Sequence, residues 1–419
     1  MSSVVKTGAE GDPGTDGAVS GSVPLTEPSD GVPPVVTDQV TLVRAADALR
    51  RGRGPVAVDT ERASGYRYSR RAYLIQLRRE GAGTVLVDPI ALGGEVTTLA
   101  GVLTGPEWVL HAASQDLPCL ADLGLVPSRL FDTELAGRLT GFERVALGTL
   151  VEQLLGYTLE KGHSAVDWSH RPLPYDWLIY AALDVELLVQ LRDVLEAELL
   201  RQGKLEWARQ EFEAVRVAQP PAPRAQPWRR TSGIHRIRSR RQLAAVRALW
   251  ETREAVAVER DIAPGRVLPD RAIVDAAAAS PTDVAELIKL PVFRGRAQRR
   301  MASVWLDALR SAGGLPAAEL PETSPPHDGP PPPNRWPDRD PDAAARLAAA
   351  RGALTKIAEA NRLPVENLLL PDLVRRICWE PPEDTTLTGV AARLRAGGAR
   401  QWQIELTGAE LTSALLATA

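Results

Sequence analysis

The sequence has very little cysteine and no long hydrophobic run. Of its 419 residues only two are cysteine, Cys119 and Cys378, and they lie far apart without the spacing of metal ligands. This argues against a disulfide framework and a cysteine-based zinc site, and it fits a reducing compartment. No apolar stretch is long enough to cross a bilayer, and the first residues lack the apolar core of a signal peptide. We therefore expect a cytoplasmic protein that does not act at a membrane.

The overall composition of this chain excludes few classes of function. The formal net charge is −3 and 44% of the residues are hydrophobic, both ordinary for a folded protein. A near-neutral total does not argue for or against nucleic acid, because the local distribution of charge decides such binding. The length of 419 residues predicts two or three domains.

Short apolar runs followed by helical spacing predict that the first folded region is an α/β domain. Residues 1–38 are rich in Gly, Pro, Ser and Asp and are predicted to be a disordered, mildly acidic tail. Four short apolar runs are predicted to be strands of one sheet: 55–59, 73–77, 84–88 and 108–112. Beyond Ser114 the apolar spacing is mostly helical, and strands interleaved with helices are typical of an α/β fold.

Two proline-rich segments divide the rest of the chain into helical regions. The first, which contains VAQPPAPRAQP, is rich in arginine, and the second is LPETSPPHDGPPPPNRWP. The helical regions have similar lengths and similar proline breaks, which indicates a weak internal repeat. The predicted organisation is a tail (1–38), an α/β domain (39–215), a basic linker (216–234), a helical domain (235–315), a second linker (316–340) and a second helical domain (341–419).

Acidic residues in three separate segments are the main candidates for chemistry. Asp59 and Glu61 stand at the end of a predicted strand, where side chains two residues apart point to the same side. Asp116 follows another predicted strand, and Asp184 comes four residues after Tyr180, so that both lie on one helix face. Carboxylate oxygens are the ligands that hard cations such as Mg²⁺ prefer.

Each segment taken singly also has an ordinary structural explanation. Asp59 and Glu61 would suit a solvated strand end, and Asp116 would be a favourable charge near a helix N-terminus. Tyr180 would suit a half-buried core position, with Asp184 as a surface charge. The occurrence of all three segments in this order favours the functional interpretation, a site for two metal ions that cleaves a phosphodiester bond.

The three segments also carry a family resemblance. VAVDTE, HAASQDLPCL and YAALDVELL resemble the three motifs of the DEDDy 3′–5′ exonucleases, and specifically those of the ribonuclease D family. FDTELA, LVEQLLG and DWSHRPLP follow in the order usual for that family. The resemblance covers roughly residues 40–210 and implies a ribonuclease H-like domain with a mixed sheet flanked by helices.

The resemblance implies a role for each candidate residue. Asp59, Glu61 and Asp184 would hold one divalent ion, Mg²⁺ or Mn²⁺, that carries the attacking water. Asp59 and Asp116 would serve a second ion at the leaving oxygen, and Tyr180 would orient the water. The implied reaction releases 5′-mononucleotides one at a time from a 3′-hydroxyl end.

The two helical regions resemble HRDC domains, which in that family contribute nucleic-acid binding or substrate positioning. AVRALWETREAVAVERDIAPGRVLPDRAIVDAA carries the first match, and IAEANRLPVENLLLPDLVRRI carries a second, more divergent one. Arginines cluster at 229–241 and at 294–300, on both sides of the first helical core. Such clusters either bind phosphate by charge and counterion release or stay solvated. We favour RNA contact because the clusters flank a catalytic domain that needs a polyanion.

One loop departs from the family pattern. After the DTE motif the family often continues with an aromatic residue, whereas this chain reads RASGYRYSRRAYLIQL. Arg67, Arg70 and Arg71 make the loop basic, so it either contacts phosphate near the 3′ end or is simply solvated.

The leading hypothesis is a metal-dependent 3′–5′ exoribonuclease that acts on RNA with a single-stranded 3′ end. The resemblance implies tRNA precursors as substrates. A carboxylate site does not itself distinguish RNA from DNA, so a DNA 3′–5′ exonuclease is one alternative. The other alternative is a non-catalytic RNA-binding scaffold.

Overall fold

A computed structural model describes residues 21–160, 162–163, 165–220, 222–324 and 329–416. Within these ranges the first domain contains eight strands: β1 (Val23–Leu25), β2 (Val35–Val36), β3 (Arg53–Arg62), β4 (Ala72–Glu80), β5 (Gly83–Val87), β6 (Trp108–Leu110), β7 (Leu130–Asp132) and β8 (Tyr157–Leu159). Six of them form one sheet in the order β2-β5-β4-β3-β6-β7. Strand β3 pairs antiparallel with β4 and parallel with β6, so the sheet is mixed, as the resemblance implies.

Eight helices of the described chain accompany this sheet: α1 (Gln39–Arg51), α2 (Thr97–Leu103), α3 (Leu117–Ala121), α4 (Thr133–Thr140), α5 (Leu147–Leu155), α6 (Tyr175–Glu186), α7 (Leu188–Arg201) and α8 (Leu205–Arg216). Helix α6 packs across β3, β4 and β5, and α7 contacts β3 and β6. The middle of β3, the first six residues of β4 and all of β6 are mostly buried, because their Val, Leu, Ile and Trp side chains face helices. The four predicted strands are therefore confirmed.

The N-terminal segment corrects one prediction. Residues 21–38 are ordered rather than disordered, because β1 pairs parallel with β8 and β2 pairs parallel with β5 at the edge of the sheet. The intervening loop is held by Ser29, whose hydroxyl donates a hydrogen bond to Glu186 at 2.6 Å, and by Asp30, which pairs with Arg78 at 3.0 Å. The remaining part of the predicted tail, residues 1–20, lies outside the described residues.

Helical packing also begins earlier than the predicted linkers allow. Trp228 lies in a short 3₁₀ turn within the predicted linker 216–234 and is buried in the core of the first helical domain. Trp336, inside the predicted linker 316–340, is fully buried and starts a helix. Both indoles supply large apolar surface that folding removes from water, so these linker ends belong to the helical domains.

The two helical domains repeat one arrangement. The first contains α9 (Arg240–Arg260), α10 (Pro264–Val267), α11 (Asp270–Ala279), α12 (Val284–Leu287), α13 (Arg296–Arg300) and α14 (Ala302–Gly313). The second contains α15 (Trp336–Arg339), α16 (Pro341–Asn361), α17 (Val365–Leu368), α18 (Pro371–Trp379), α19 (Leu387–Ala396) and α20 (Gln401–Leu416). Helices α9 and α16 both have 21 residues, and both end in a left-handed residue, Asp261 with φ 47° and Arg362 with φ 51°. A four-residue helix then follows in each domain, which supports the predicted repeat.

The second helical domain packs directly on the α/β domain. Trp402 stacks on Trp207 with 5.0 Å between ring centroids, and its indole N–H donates to Glu211 at 3.0 Å. The buried ammonium of Lys204 donates to the carbonyl oxygens of Leu139 and Asn361, at 2.7 and 2.6 Å. Apolar contact and a satisfied buried charge therefore fix the two domains against each other. Among the described residues, no helix has the length and apolarity needed to span a bilayer.

Candidate active site

Strand β3 places the first two carboxylates. Asp59 and Glu61 lie in its second half, and the alternation of side chains along a strand puts both on the same face of the sheet. Asp59 is directly opposite Gln76 of the antiparallel strand β4. Glu61 is buried, with only 7% of its surface exposed, so its charge requires a partner.

Helix α6 brings the other two predicted residues to this face. The helix begins after Pro174, whose fixed φ suits a helix start, and packs across β3, β4 and β5. Tyr180 and Asp184 are one helical turn apart, which places the Tyr180 hydroxyl near the Asp184 carboxylate. Helix–sheet packing therefore joins residues that are more than 100 positions apart in the sequence.

Three of the four carboxylates converge. Each of Asp59, Glu61 and Asp184 offers one carboxylate oxygen, and these oxygens lie within 4.8 Å of one another. An all-carboxylate oxygen set suits a hard divalent cation such as Mg²⁺ or Mn²⁺. The residues present therefore fit the metal that the sequence predicts. Among the described residues, Asp59, Glu61 and Asp184 are the group of acidic side chains that could hold a metal ion.

Asp116 lies beside this group but is turned toward other partners. Its Oδ1 accepts a hydrogen bond from the Thr60 hydroxyl at 2.7 Å and pairs with Arg62 at 3.5 Å. Its negative charge nevertheless raises the pKa values of Asp59 and Glu61, which places it close to the cluster. The structure thus brings together Asp59, Glu61 and Asp184, and holds Asp116 at their margin.

Burial and charge repulsion control the protonation of the cluster. Burial, followed by the negative charges of Asp184 and Asp116, raises the pKa of Glu61 to about 9. Burial raises the pKa of Asp184 to about 7, although the hydrogen bond from Tyr180 opposes the shift. Burial and the charges of its three acidic neighbours also raise the pKa of Asp59. A bound cation reverses this balance, because it favours the ionised carboxylates.

Tyr180 is held as a hydrogen-bond donor. Burial and the negative charges of Asp184, Glu61 and Asp59 raise the pKa of its phenol above the usual value. The group therefore stays protonated at neutral pH and can donate to a carboxylate or to a water molecule. The ring of His163 packs edge-on against the Tyr180 ring, with 5.9 Å between the ring centroids.

Arg62 is a site residue that the sequence reasoning did not identify. Besides its pairing with Asp116, its guanidinium donates to the carbonyl of Gln115 at 2.6 Å, and its side chain is 27% exposed. Its position immediately after the DTE motif was the available signal, since an arginine stands there in place of the aromatic residue common in the family. A partly exposed cation beside Asp116 and Glu61 can contact a phosphate.

The basic loop between β3 and β4 is mostly engaged within the protein. Arg67 donates to the Ser169 hydroxyl at 2.8 Å, and Arg71 lies 3.8 Å from Asp261 of the first helical domain. Arg171, which lies in the DWSHRPLP segment, forms a 2.6 Å ion pair with buried Asp88 and therefore has a structural role. Arg70 has no hydrogen bond or ion pair with the described chain.

The two arginine clusters of the first helical domain differ in kind. In the cluster at 229–241, Arg240 pairs with Glu322 at 2.9 Å and Arg236 pairs with Asp275 at 2.9 Å. Arg241 donates to the Gly313 carbonyl at 3.1 Å, so this cluster mainly ties the ends of the domain together. In the cluster at 294–300, three arginines are exposed and make no ion pair or side-chain hydrogen bond with the described residues: Arg296, Arg299 and Arg300.

Comparison with known families covers most of the chain. A family described as 3′–5′ exonuclease matches residues 33–200, and the HRDC domain family matches residues 242–309. A family described as the 3′ to 5′ exonuclease C-terminal domain matches residues 329–415, the region that the sequence predicts to be a second HRDC-like domain.

Similar proteins extend over nearly the full length. Ribonuclease D of Acidiphilium cryptum is 34% identical over 379 residues, covering 88% of this chain and 93% of that protein. Ribonuclease D of Gluconacetobacter diazotrophicus is 33% identical over 363 residues, covering 85% and 88%.

Solved structures give the same picture. A protein from Bifidobacterium adolescentis superposes with a TM-score of 0.86 at 37% identity, covering 94% of this chain and 99% of that one. Escherichia coli RNase D, described as an exoribonuclease involved in structured RNA processing, superposes with a TM-score of 0.65 at 25% identity and covers 92% and 98%.

Proposed function

The chain belongs to the ribonuclease D family, as a metal-dependent 3′–5′ exoribonuclease, and we propose that Asp59, Glu61, Asp116 and Asp184 hold its two divalent ions. The observation that carries this assignment is the convergence of three carboxylates within 4.8 Å beneath a tyrosine on the same helix as the third. The alternatives of a DNA exonuclease and a non-catalytic scaffold are not favoured, because the relatives are ribonucleases and the carboxylate set fits metal.

In this proposal each residue of the site has a distinct role. Asp59, Glu61 and Asp184 would hold the ion that serves the attacking water, and Asp59 and Asp116 would serve the second ion. The bound ions would lower the pKa of the attacking water and stabilise the leaving 3′-oxygen. Tyr180 would orient the water through its hydroxyl, which lies near Asp184 and stays protonated at neutral pH. Arg62 would contact the phosphate and, through its ion pair, would favour the ionised form of Asp116.

We further propose that the substrate is RNA with a single-stranded 3′ end, such as a tRNA precursor. The Escherichia coli relative is involved in structured RNA processing, which supports this class of substrate. A paired terminus would have to separate before its last phosphate could reach carboxylates that are themselves buried or half-buried. Two free, buried cysteines, Cys119 and Cys378, support an assignment to the reducing cytoplasm.

The direct test uses an RNA hairpin labelled at its 5′ end and carrying a single-stranded 3′ tail. With Mg²⁺ or Mn²⁺ we expect a ladder that shortens by one nucleotide at a time, releases 5′-mononucleotides and stops near the stem. The same hairpin without a tail, and the tailed hairpin made of DNA, are the matched controls. Equal degradation of the blunt hairpin would contradict the single-stranded requirement, and equal degradation of the DNA would contradict RNA selectivity.

The exposed arginine cluster at 294–300 is expected to bind the body of the RNA. Replacing Arg296, Arg299 and Arg300 by Ala should weaken RNA binding in EDTA and reduce the slope of log K against log salt by about 2, since each neutralised phosphate contributes roughly 0.7 on a single strand. The control variant removes three exposed arginines of the second helical domain: Arg335, Arg339 and Arg393. If both triple variants change the slope equally, the cluster has no special role.

A further inference from the structure

The loop that connects the two central strands is held by a different domain. Strand β3 ends at Arg62, one residue after Glu61, and β4 begins at Ala72. Between them, the backbone N–H of Ser69 donates to Asp261 Oδ1 at 2.8 Å, and the Ser69 hydroxyl donates to Asp261 Oδ2 at 3.2 Å. Both carboxylate oxygens of one residue in the first helical domain therefore bind the loop that begins next to the metal site.

Further contacts surround this anchor. The Ala263 N–H donates to the Tyr66 carbonyl at 3.0 Å, and the Arg266 guanidinium donates to the Gly65 carbonyl at 2.8 Å. The same guanidinium lies over the Tyr66 ring, 4.0 Å from its centroid. Gly65 and Tyr66 thus bind the turn and the short helix α10 that follow α9, through backbone groups as well as side chains.

The other side of the loop faces the helix that carries the catalytic tyrosine. Tyr66 packs in an apolar cluster with Trp168, Trp177 and Tyr180. Arg67 donates to Ser169, in the segment that leads into α6. The loop therefore lies between the first helical domain and the segment that leads into α6, and its Tyr66 shares an apolar cluster with Tyr180.

The position of Asp261 at the end of α9 suits this contact. It is the left-handed residue that ends α9, with φ 47°, and Asp tolerates that backbone conformation better than most residues. The equivalent corner of the second helical domain, at Asn361 and Arg362, also docks on the α/β domain, but at Lys204 and Gly141. The repeated corner is thus used twice for docking, and only the first copy docks on the loop that borders the catalytic residues.

We propose that Asp261 is a positioning residue for the exonuclease reaction, which makes the first helical domain part of the active-site entrance. This rests on the proposed function. The carboxylate fixes residues 65–71 so that the entrance beside Tyr180 is formed before RNA arrives, and Arg70 is presented toward solvent at its rim. Preorganisation of this kind raises productive binding of the substrate end without a new contact to the reacting atoms.

The test separates positioning from RNA binding by the length of the substrate. Asp261→Gly removes the carboxylate and keeps the left-handed backbone accessible, whereas Asp261→Asn keeps one acceptor oxygen for the Ser69 N–H. On a trinucleotide, which offers few phosphates beyond the reacting one, we expect kcat/KM to fall by about 10-fold for Asp261→Gly and by less for Asp261→Asn. The fall should be similar on a long tailed RNA. Asp275→Asn, which removes a surface carboxylate of the same domain, is the control.

Two further readouts keep the outcomes distinct. Trypsin should cut the Asp261→Gly protein faster after Arg67, Arg70 or Arg71, while the Mn²⁺-induced rise in melting temperature should match that of wild type. A loss confined to long RNA, or no loss with Asp261→Gly, would overturn the proposal, and if that variant does not fold, Asp261→Asn decides by the same criterion. Failure of the wild-type protein to shorten the trinucleotide would instead count against the proposed function.

Discussion

Replacing Asp59 by Asn is expected to reduce turnover on tailed RNA by more than about 100-fold, because even second-layer partners of a metal site cost roughly 10- to 100-fold when removed. Asp59 is one of three carboxylates within 4.8 Å, and the proposed mechanism shares it between both ions. The amide keeps the shape of the side chain but removes its charge. The measurement is kcat/KM with Mg²⁺ and with Mn²⁺, on RNA labelled at its 5′ end.

Folding and RNA binding should survive this substitution. Asp59 lies among like charges that raise its pKa, so neutralising it removes repulsion and should not lower the melting temperature in EDTA. RNA affinity in EDTA should stay within about twofold, because the basic contacts lie elsewhere. Asp122→Asn, at an exposed position in the same domain, is the control and should leave turnover unchanged. Normal turnover by Asp59→Asn would refute the metal assignment.

The core of this site could be predicted from the sequence because local geometry determines it. Alternation along β3 puts Asp59 and Glu61 on one face, and the four-residue spacing on α6 puts Tyr180 and Asp184 on one side of a helix. These relations hold in any fold that contains the two elements. The family motifs then supplied the remaining step, which is that the helix packs on that face of the sheet.

The orientation of Asp116 could not be predicted in the same way. Its carboxylate is held by Thr60 and Arg62, residues on β3 that alternate with Asp59 and Glu61. That contact depends on where the turn after β6 places Asp116 in three dimensions, and sequence spacing does not contain this information. The pairing also shows how a cation next to the DTE motif can restrain a carboxylate that the second ion would need.

The order of the N-terminal segment was hidden for a different reason. Strands β1 and β2 have only three and two residues, with Pro and Gly between them, so composition resembles that of a disordered tail. Their partners, β8 and β5, are distant in sequence, and pairing with an existing strand orders segments too short to fold alone. The docking of Asp261 on Ser69 is likewise a long-range contact, and nothing in the sequence of either segment predicts it.

Without metal at pH 8, the Glu61→Gln variant should be more stable than wild type, and with metal it should be less stable. In the ion-free protein the pKa of Glu61 is about 9, above the ordinary value of 4.5, so the folded state disfavours its ionisation. The resulting penalty is absent below about pH 4.5 and grows as the pH rises toward 9. Wild type in EDTA should therefore lose stability across this window more steeply than Glu61→Gln, which has no proton to lose, and at pH 8 the variant should melt at the higher temperature.

Addition of Mn²⁺ at pH 8 should invert that order. A ligand at 100 times its dissociation constant stabilises the folded state by about 2.7 kcal/mol, which corresponds to a shift on the order of 5–10 °C for a domain of this size. Wild type should gain this stabilisation, whereas the variant, which lacks one charged ligand, should gain much less. Melting curves at pH 5, 6.5 and 8, each in EDTA and in Mn²⁺, test both parts. If the two proteins show equal pH slopes in EDTA, charge repulsion at Glu61 is refuted, while equal gains with Mn²⁺ would remove Glu61 from the ligand set. Because the first result depends on burial and charge repulsion and the second on coordination, the two outcomes distinguish a repulsive acidic core from a metal site.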